Sequence, residues 1–193
     1  MKKLLIVSVC FICFSAYSIT SDLKVGKALP KWKSLLEHND ISLINKCKGK
    51  VLIINYIDPR YDEQSIPAVL AVRNAIVDGR LSLKNFQAVG IVDCDTTWKP
   101  NSLIRSFAIR ANKKLPHLKS ILLFDYKGIL GNKYGLISGK ENRNAIVLVD
   151  KQKICRAVYR DKMSKKQIAD LVNMAVSLQH EPYKQARQTH PTK

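Results

Sequence analysis

Acidic residues are scarce in this chain. Fifteen Asp and Glu face 33 Lys and Arg in 193 residues, a formal charge of +18. The excess favours anionic partners: lipid head groups, envelope polyanions or nucleic acid. Aromatic residues are few, at 7%. Near the basic run Lys151, Lys153, Arg156, Arg160, Lys162, Lys165 and Lys166 only Tyr159 is placed to stack, which argues against a specific nucleic-acid interface. The four histidines, His38, His117, His180 and His190, lack metal-ligand spacing, so no metal site is expected from them. The apolar stretch Leu4–Phe14 is too short to cross a bilayer as a helix. There is no internal repeat, which excludes a solenoid.

What is present begins with a leader. Met1-Lys2-Lys3, the apolar Leu4–Phe14 and Ser15-Ala16-Tyr17-Ser18 have the three parts of a secretory signal, with cleavage expected before Ile19. Cys10 and Cys13 have C-x-x-C spacing but lie inside that signal. Cys47, Cys94 and Cys155 remain, and an odd count leaves at least one thiol unpaired within the chain.

The chain is organised around Gly49–Gln64. Val51–Ile57 is a continuous apolar run broken only by Asn55, the pattern of a strand buried on both faces. Asp58-Pro59 stops it, and a polar turn leads into a helix from Ile66 to Val77, ended by Asp78-Gly79. Phe86–Cys94 and Ser120–Phe124 read as further strands. Asn101-Ser102 reads as the cap of a helix to about Asn112, with Leu103, Ile104, Phe107, Ala108 and Ile109 inward. One helical turn is expected around Tyr134. Ala145–Val149, the turn Asp150–Lys153 and Ile154–Tyr159 read as a hairpin, and Ser164 caps a last helix with Ile168, Leu171, Val172, Ala175, Val176 and Leu178 inward. Trp32, Leu35, Leu36, Ile41, Leu43 and Ile44 are expected to flank the core. Residues 180–193 are expected to form a mobile basic tail, leaving one domain over 19–179. Alternating strands and helices imply an α/β fold with a largely parallel sheet, made mixed by the hairpin.

Several landmarks resemble the thioredoxin fold in its exported TlpA/ResA branch: Val25-Gly26 with Pro30, Gly49–Tyr56 (GKVLIINY), Asp125–Gly128, and Val147–Asp150 before a hairpin. More narrowly, the chain resembles the small exported YtfJ family of uncharacterised thioredoxin-like proteins. The resemblance implies a three-layer sandwich with a mixed central sheet and a C-terminal hairpin and helix, and a periplasmic location. It implies a strand order of 120–124, 86–93, 51–57, 145–150, 153–160. Cys94 and Cys155 then stand three strands apart, about 14 Å, beyond disulfide reach. Cys47 falls at the opposite end of the sheet from Cys94. Tyr61 and Gln64 stand where the redox branch has its two active cysteines, and Arg143-Asn144 stands where it has a cis proline. The dithiol machinery is therefore absent, since neither a phenol nor an amide replaces a thiolate.

Candidate sites follow from this alignment. The degenerate active-site position comprises Asp58, Pro59, Arg60, Tyr61, Asp62, Glu63, Gln64 and Asn144. No catalytic residue and no cofactor is expected there. The acids Asp58, Asp93, Asp95 and Asp125 end parallel strands, an arrangement that could hold a hard cation or simply terminate strands. Asp93-Cys94-Asp95-Thr96-Thr97 has the D-x-D-x-T spacing of haloacid-dehalogenase-type phosphatases, without that family's downstream acidic partner. Lys151, Lys153, Arg156 and Arg160 could form a landing patch for an anionic envelope component or membrane surface. The leading reading is a non-redox binding module of the cell envelope. The alternatives are single-thiol redox or peroxide chemistry at Cys94 and, behind it, the phosphatase.

Overall fold

The computed structural model describes residues 23–29, 47–133, 135–136 and 144–184. Residues 1–22, 30–46, 134, 137–143 and 185–193 lie outside the described residues, and with them the expected leader, the flanking set Trp32, Leu35, Leu36, Ile41, Leu43 and Ile44, the helical turn around Tyr134, Arg143 and most of the expected basic tail.

The elements in chain order are β1 (Val51–Ile57), α1 (Ile66–Val77), β2 (Phe86–Asp93), α2 (Asn101–Lys113), β3 (Ile121–Asp125), α3 (Ile129–Lys133), β4 (Ala145–Val149), β5 (Cys155–Arg160) and α4 (Lys165–His180). The five strands form one sheet in the order β3-β2-β1-β4-β5, as the resemblance implied. β2 is parallel to both β1 and β3, while β4 is antiparallel to both β1 and β5. A register shift between Leu148 and Val149 marks the start of the closing hairpin.

The largely apolar runs of β1 and β2 are explained by position, since both strands are interior to the sheet and covered on both faces. Alternate residues divide between two cores. Val51, Ile53, Ala88, Ile146 and Leu148 pack against Ala68 and Val72 of α1 and Leu171, Val172 and Ala175 of α4. Leu52, Ile54, Tyr56, Val89, Ile91 and Val147 face the other way, toward Leu23, Cys47, Leu130 and Leu136. Fully buried Leu52, Phe86, Leu148 and Leu171 each contribute roughly 1.5–3 kcal/mol of transfer free energy. The result is a three-layer thioredoxin-like sandwich.

The last helix is closed at both ends. Ser164 Oγ accepts from Gln167 N at 3.2 Å and Gln167 Oε1 accepts from Ser164 N at 2.8 Å, a capping box. At the other end Lys151 Nζ donates to the carbonyls of Gln179 and Glu181 at 2.7 and 2.8 Å. The chain stays held a little beyond 180. Gln152 Nε2 donates to Pro182 O at 3.0 Å, and the Tyr183 ring lies 3.4 Å from where a Cβ on Gly49 would be, at φ +68°.

Two expectations need correction. Pro100, not Asn101, occupies the N-cap of α2, and no side chain caps that helix. More consequentially, only Ile104 of α2 is buried. Leu103, Phe107 and Ile109 are 41%, 51% and 39% exposed. The helix lies over β3, with Ile104 and Ala108 against Val92, Cys94 and Phe124, so one contact line is all the sheet edge offers it. Smaller shifts are that β3 begins at Ile121 and ends at Asp125, and that β5 begins at Cys155.

Candidate functional site

At the end of β1 the chain must turn from a buried strand into α1, and five polar side chains, Asp58, Arg60, Asn144, Asn55 and Ser65, make that turn. Asp58 is fully buried. Its carboxylate accepts from Arg60 N at 3.0 Å, Arg60 Nε at 3.1 Å and Arg60 Nη2 at 2.7 Å, a forked pair that ties the strand end to the residue past Pro59. Burial pushes the Asp58 pKa up. The hydrogen bonds and charge of Arg60, with the Thr96 hydroxyl, outweigh that and hold it below the usual carboxylate value. The Arg60 guanidinium also lies 5.7 Å from the centre of the Tyr61 ring.

Asn144, 1% exposed, sits just before β4 and reaches across the chain. Its Oδ1 accepts from Asp58 N at 2.8 Å and its Nδ2 donates to Tyr61 O. One side chain thus fixes both ends of the Asp58–Tyr61 corner. Below the corner Asn55 Nδ2 donates to Ser65 Oγ at 3.1 Å, and Ser65 Oγ donates to Asp62 O at 3.0 Å. Asp62, Glu63 and Gln64 form one 3-10 turn ahead of α1. Asp62 and Glu63 point to solvent, and the Asp62 pKa is raised by partial burial and by the neighbouring Glu63 charge. The corner residues expected from the sequence therefore come together, with no sulfur among them.

Behind the corner, register places a second group. Ile57 pairs with Val92, and Asp93 pairs with Asp125, so Asp58, Asp93 and Asp125 end three adjacent strands on one face. All three are buried. Tyr56 OH donates to Asp125 Oδ2 at 3.1 Å, and Asp125 also accepts from the backbone of Ile129 and Leu130 at the start of α3. Asp93 Oδ1 accepts from Asp95 N at 2.9 Å, while its Oδ2 has no hydrogen bond of normal geometry. Burial raises the Asp93 pKa to about 6. The Asp125 and Asp58 charges add to the rise, against the Asp95 amide and the nearby Tyr56 hydroxyl. The Tyr56 phenol is pushed up by burial and by the same carboxylates.

These facts bear on the enzyme readings. Asp93 is closed off from solvent and Asp95 turns its amide back on it, so the D-x-D spacing makes a strand-ending turn that offers no open carboxylate pair. Among the described residues no group of three or more His, Cys, Asp or Glu is arranged to hold a metal ion. Cys94 is buried, and burial together with the Asp93 and Asp125 charges pushes its thiol up to about 12. That is the reverse of an activated thiolate. Burial also raises Cys47 and Cys155. All three are buried thiols rather than disulfide partners of one another.

The expected landing patch is taken up by the fold. Lys151 binds the end of α4 as described. Lys153 Nζ donates to Cys47 O at 2.5 Å, and burial lowers its pKa. Arg156 pairs with buried Asp150 at 2.7 Å, and Arg160 Nε donates to Gly135 O at 2.8 Å. Lys151, Lys153, Arg156 and Arg160 therefore all bond to groups within the fold, although the Arg156 side chain stays 43% exposed. What the sequence did not signal is a cleft of about 890 Å³ between α1 and α2, running over β1–β3 from the corner to Leu118. It was missed because the α2 periodicity implied a covered face.

Comparison with known proteins agrees with this architecture. A family model described as "Bacterial protein of unknown function (YtfJ_HI0045)" matches residues 37–178. No curated protein matches the sequence. Among solved structures, a cysteine-to-serine mutant of PrxQ from Xylella fastidiosa is 15% identical, over 80% of this chain and 96% of that one, with a TM-score of 0.52. A putative thiol:disulfide interchange protein DsbE from Chlorobium tepidum is 15% identical over 69% and 84%, with a TM-score of 0.49. A secreted thiol-disulfide isomerase from Corynebacterium glutamicum is 14% identical over 69% and 75%, with a TM-score of 0.49. At 15% identity the likeness to the PrxQ structure shows the fold alone. No helix among the described residues is long and apolar enough to cross a membrane.

Proposed function

The chain belongs to this YtfJ family of bacterial proteins of unknown function, and we propose that it is an exported, periplasmic protein that uses the thioredoxin fold for binding, not for thiol exchange. The signal-like start Met1–Ser18 supports export. The observation that carries the non-redox reading is the corner. Tyr61 and Gln64 stand where the resemblance puts the redox branch's two cysteines, Asn144 holds the Asp58–Tyr61 corner by hydrogen bonds, and the three thiols outside the leader are buried with raised pKa values. Disulfide exchange needs an accessible thiolate with a second sulfur in reach. The net charge directs the choice of partner toward anionic envelope components or the membrane surface.

The test is insulin reduction with dithiothreitol as the electron source. The purified protein should precipitate insulin no faster than dithiothreitol alone. Catalytic acceleration would overturn the reading.

A further inference from the structure

We propose that the cleft between α1 and α2 binds a single-chain amphiphile, a hydrocarbon tail lying over β1–β3 with its anionic head beside Lys99. This deepens the binding-module reading and rests on it.

The cleft is apolar and has the size of a ligand site. Its volume, about 890 Å³, falls within the roughly 300–1,000 Å³ typical of small-molecule sites. Its floor is kept low by small residues, Ala88 and Gly90. A Cβ on Gly90 would come within 2.9 Å of Leu122 Cδ2, so glycine is what lets the Leu122 side chain lie across this part of the floor. Large apolar side chains stand exposed at its margin: Trp98 at 90%, Phe107 at 51%, Ile66 at 48% and Leu70 at 38%. Exposed apolar groups gathered around one concavity mark a binding surface rather than ordinary surface scatter.

Backbone chemistry chooses the occupant. The floor strands β1, β2 and β3 pair with one another, so their ladder groups are already matched. A peptide pressed into the cleft would bring an N–H and a C=O per residue to a surface that is mostly hydrocarbon, where only scattered side chains such as Asn55, Ser65 and Thr97 could pair them. A hydrocarbon chain brings none. Leu29 and Cys47, which flank the segment 30–46, pack on the opposite face of the sheet from the cleft.

Charge sets the head group and its end. Arg60, Lys99, Arg110 and Lys114 line the cleft, and Asp62 is the lone acid among the described lining residues. Arg60 is already paired with Asp58. Arg110 and Lys114 lie at the carboxyl end of α2, whose carbonyls disfavour an anion. Lys99 precedes the amino end of the same 13-residue helix, where the helix field and the ammonium act together. That end also opens beside Pro59, at the corner where thioredoxin relatives do their chemistry.

The experiment is titration of the protein, purified after expression of the full chain, with the fluorescent carboxylate cis-parinaric acid. Myristate, lysophosphatidylglycerol, lysophosphatidylcholine and tetradecanol serve as competitors. Saturable binding at one site is expected, with displacement by the two anions and at least fivefold weaker displacement by the zwitterion and the alcohol. The ranking of myristate against lysophosphatidylglycerol tells a free carboxylate from a lipid phosphate as the head. Lys99→Glu, on an exposed side chain, should weaken binding about tenfold, Lys114→Glu less than twofold, and Ala108→Phe should abolish it by filling the cleft. Absence of saturable binding, indifference to both Lys99→Glu and Ala108→Phe, or preference for the uncharged competitors would overturn the proposal while leaving the insulin result standing. So would a dimer, abolished by Phe107→Glu, that excludes the probe, since that assigns the face to a second copy.

Discussion

Helices α2 and α4 carry the same kind of amphipathic pattern on the same side of the sheet, yet one is closed over and the other is open. α4 buries Leu171, Val172, Ala175 and Leu178 against the centre of the sheet and α1. It begins with a reciprocal cap and ends under Lys151. Gln179 completes the seam: its Oε1 accepts from Ser82 N at 2.9 Å and its Nε2 donates to Arg80 O. α2 buries Ile104 alone and starts without a side-chain cap. An apolar stripe states that a face wants cover. Whether cover exists depends on how many neighbours the helix has, and α2 rides on an edge strand with one.

Stability measurements should separate the two helices most sharply. Leu171→Ala removes a fully buried side chain from the closed seam and should cost about 2–5 kcal/mol by urea denaturation. Phe107→Ala, on the open side, should lie within about 0.5 kcal/mol of the parent. A large loss from Phe107→Ala would mean that its face is covered in the folded protein, and the contrast between the helices would disappear.

How far sequence reaches follows the same division. Strand positions, the hairpin and the Ser164 cap were legible because burial on both faces writes continuous apolar runs and caps write local spacing, whereas the strand order came only from the resemblance to the thioredoxin fold. The gathering of Asp58, Asp93 and Asp125 followed from strand ends plus topology. The use of Lys151, Lys153, Arg156 and Arg160 was not legible. Their partners are backbone carbonyls or Asp150, brought near by tertiary packing, and a charge run looks the same whether it faces solvent or a carbonyl. The same holds for Tyr56 and Asp125, 69 residues apart in sequence. The proposed ligand cleft was hidden because periodicity reports the face of a helix and is silent on the gap beside it.

The closed face below α3 offers a second way to sharpen the contrast, by pH. Asp93 has a folded pKa raised to about 6, against an unfolded value near 3.9. A carboxyl group raised in this way favours the folded state when protonated. Its contribution is fully present below the unfolded value and is lost as pH rises through the folded one. Stability should therefore fall between about pH 4 and pH 7, by up to roughly 3 kcal/mol from this group. Asp58 has the opposite sign, with its pKa lowered, so its contribution is lost on acidification and acts mainly below that window. Asp93→Asn should flatten the slope between pH 4 and pH 7. Asp62→Asn, exposed at the cleft, should change it much less. An unaltered slope in Asp93→Asn would place the titrating group elsewhere.

The smallest effect tests why α2 starts as it does. Ser164→Ala removes one half of the α4 capping box and should cost about 1 kcal/mol. Pro100 occupies the matching position on α2 at φ −56°, ψ 139°, backbone that a serine can adopt. Pro100→Ser therefore offers α2 the hydroxyl it lacks, worth about 0.5–1 kcal/mol, but frees the unfolded chain by about 0.4–1 kcal/mol through loss of the ring. The two nearly cancel, so thermal unfolding of Pro100→Ser should match the parent while that of Ser164→Ala falls. A clear gain in Pro100→Ser would show that the bare end of α2 weakens the fold as it stands. A bare end next to Lys99 is also what an anionic head group would occupy. That gain should accordingly shrink when the cleft is saturated with myristate, because ligand and hydroxyl then compete for the same backbone N–H groups.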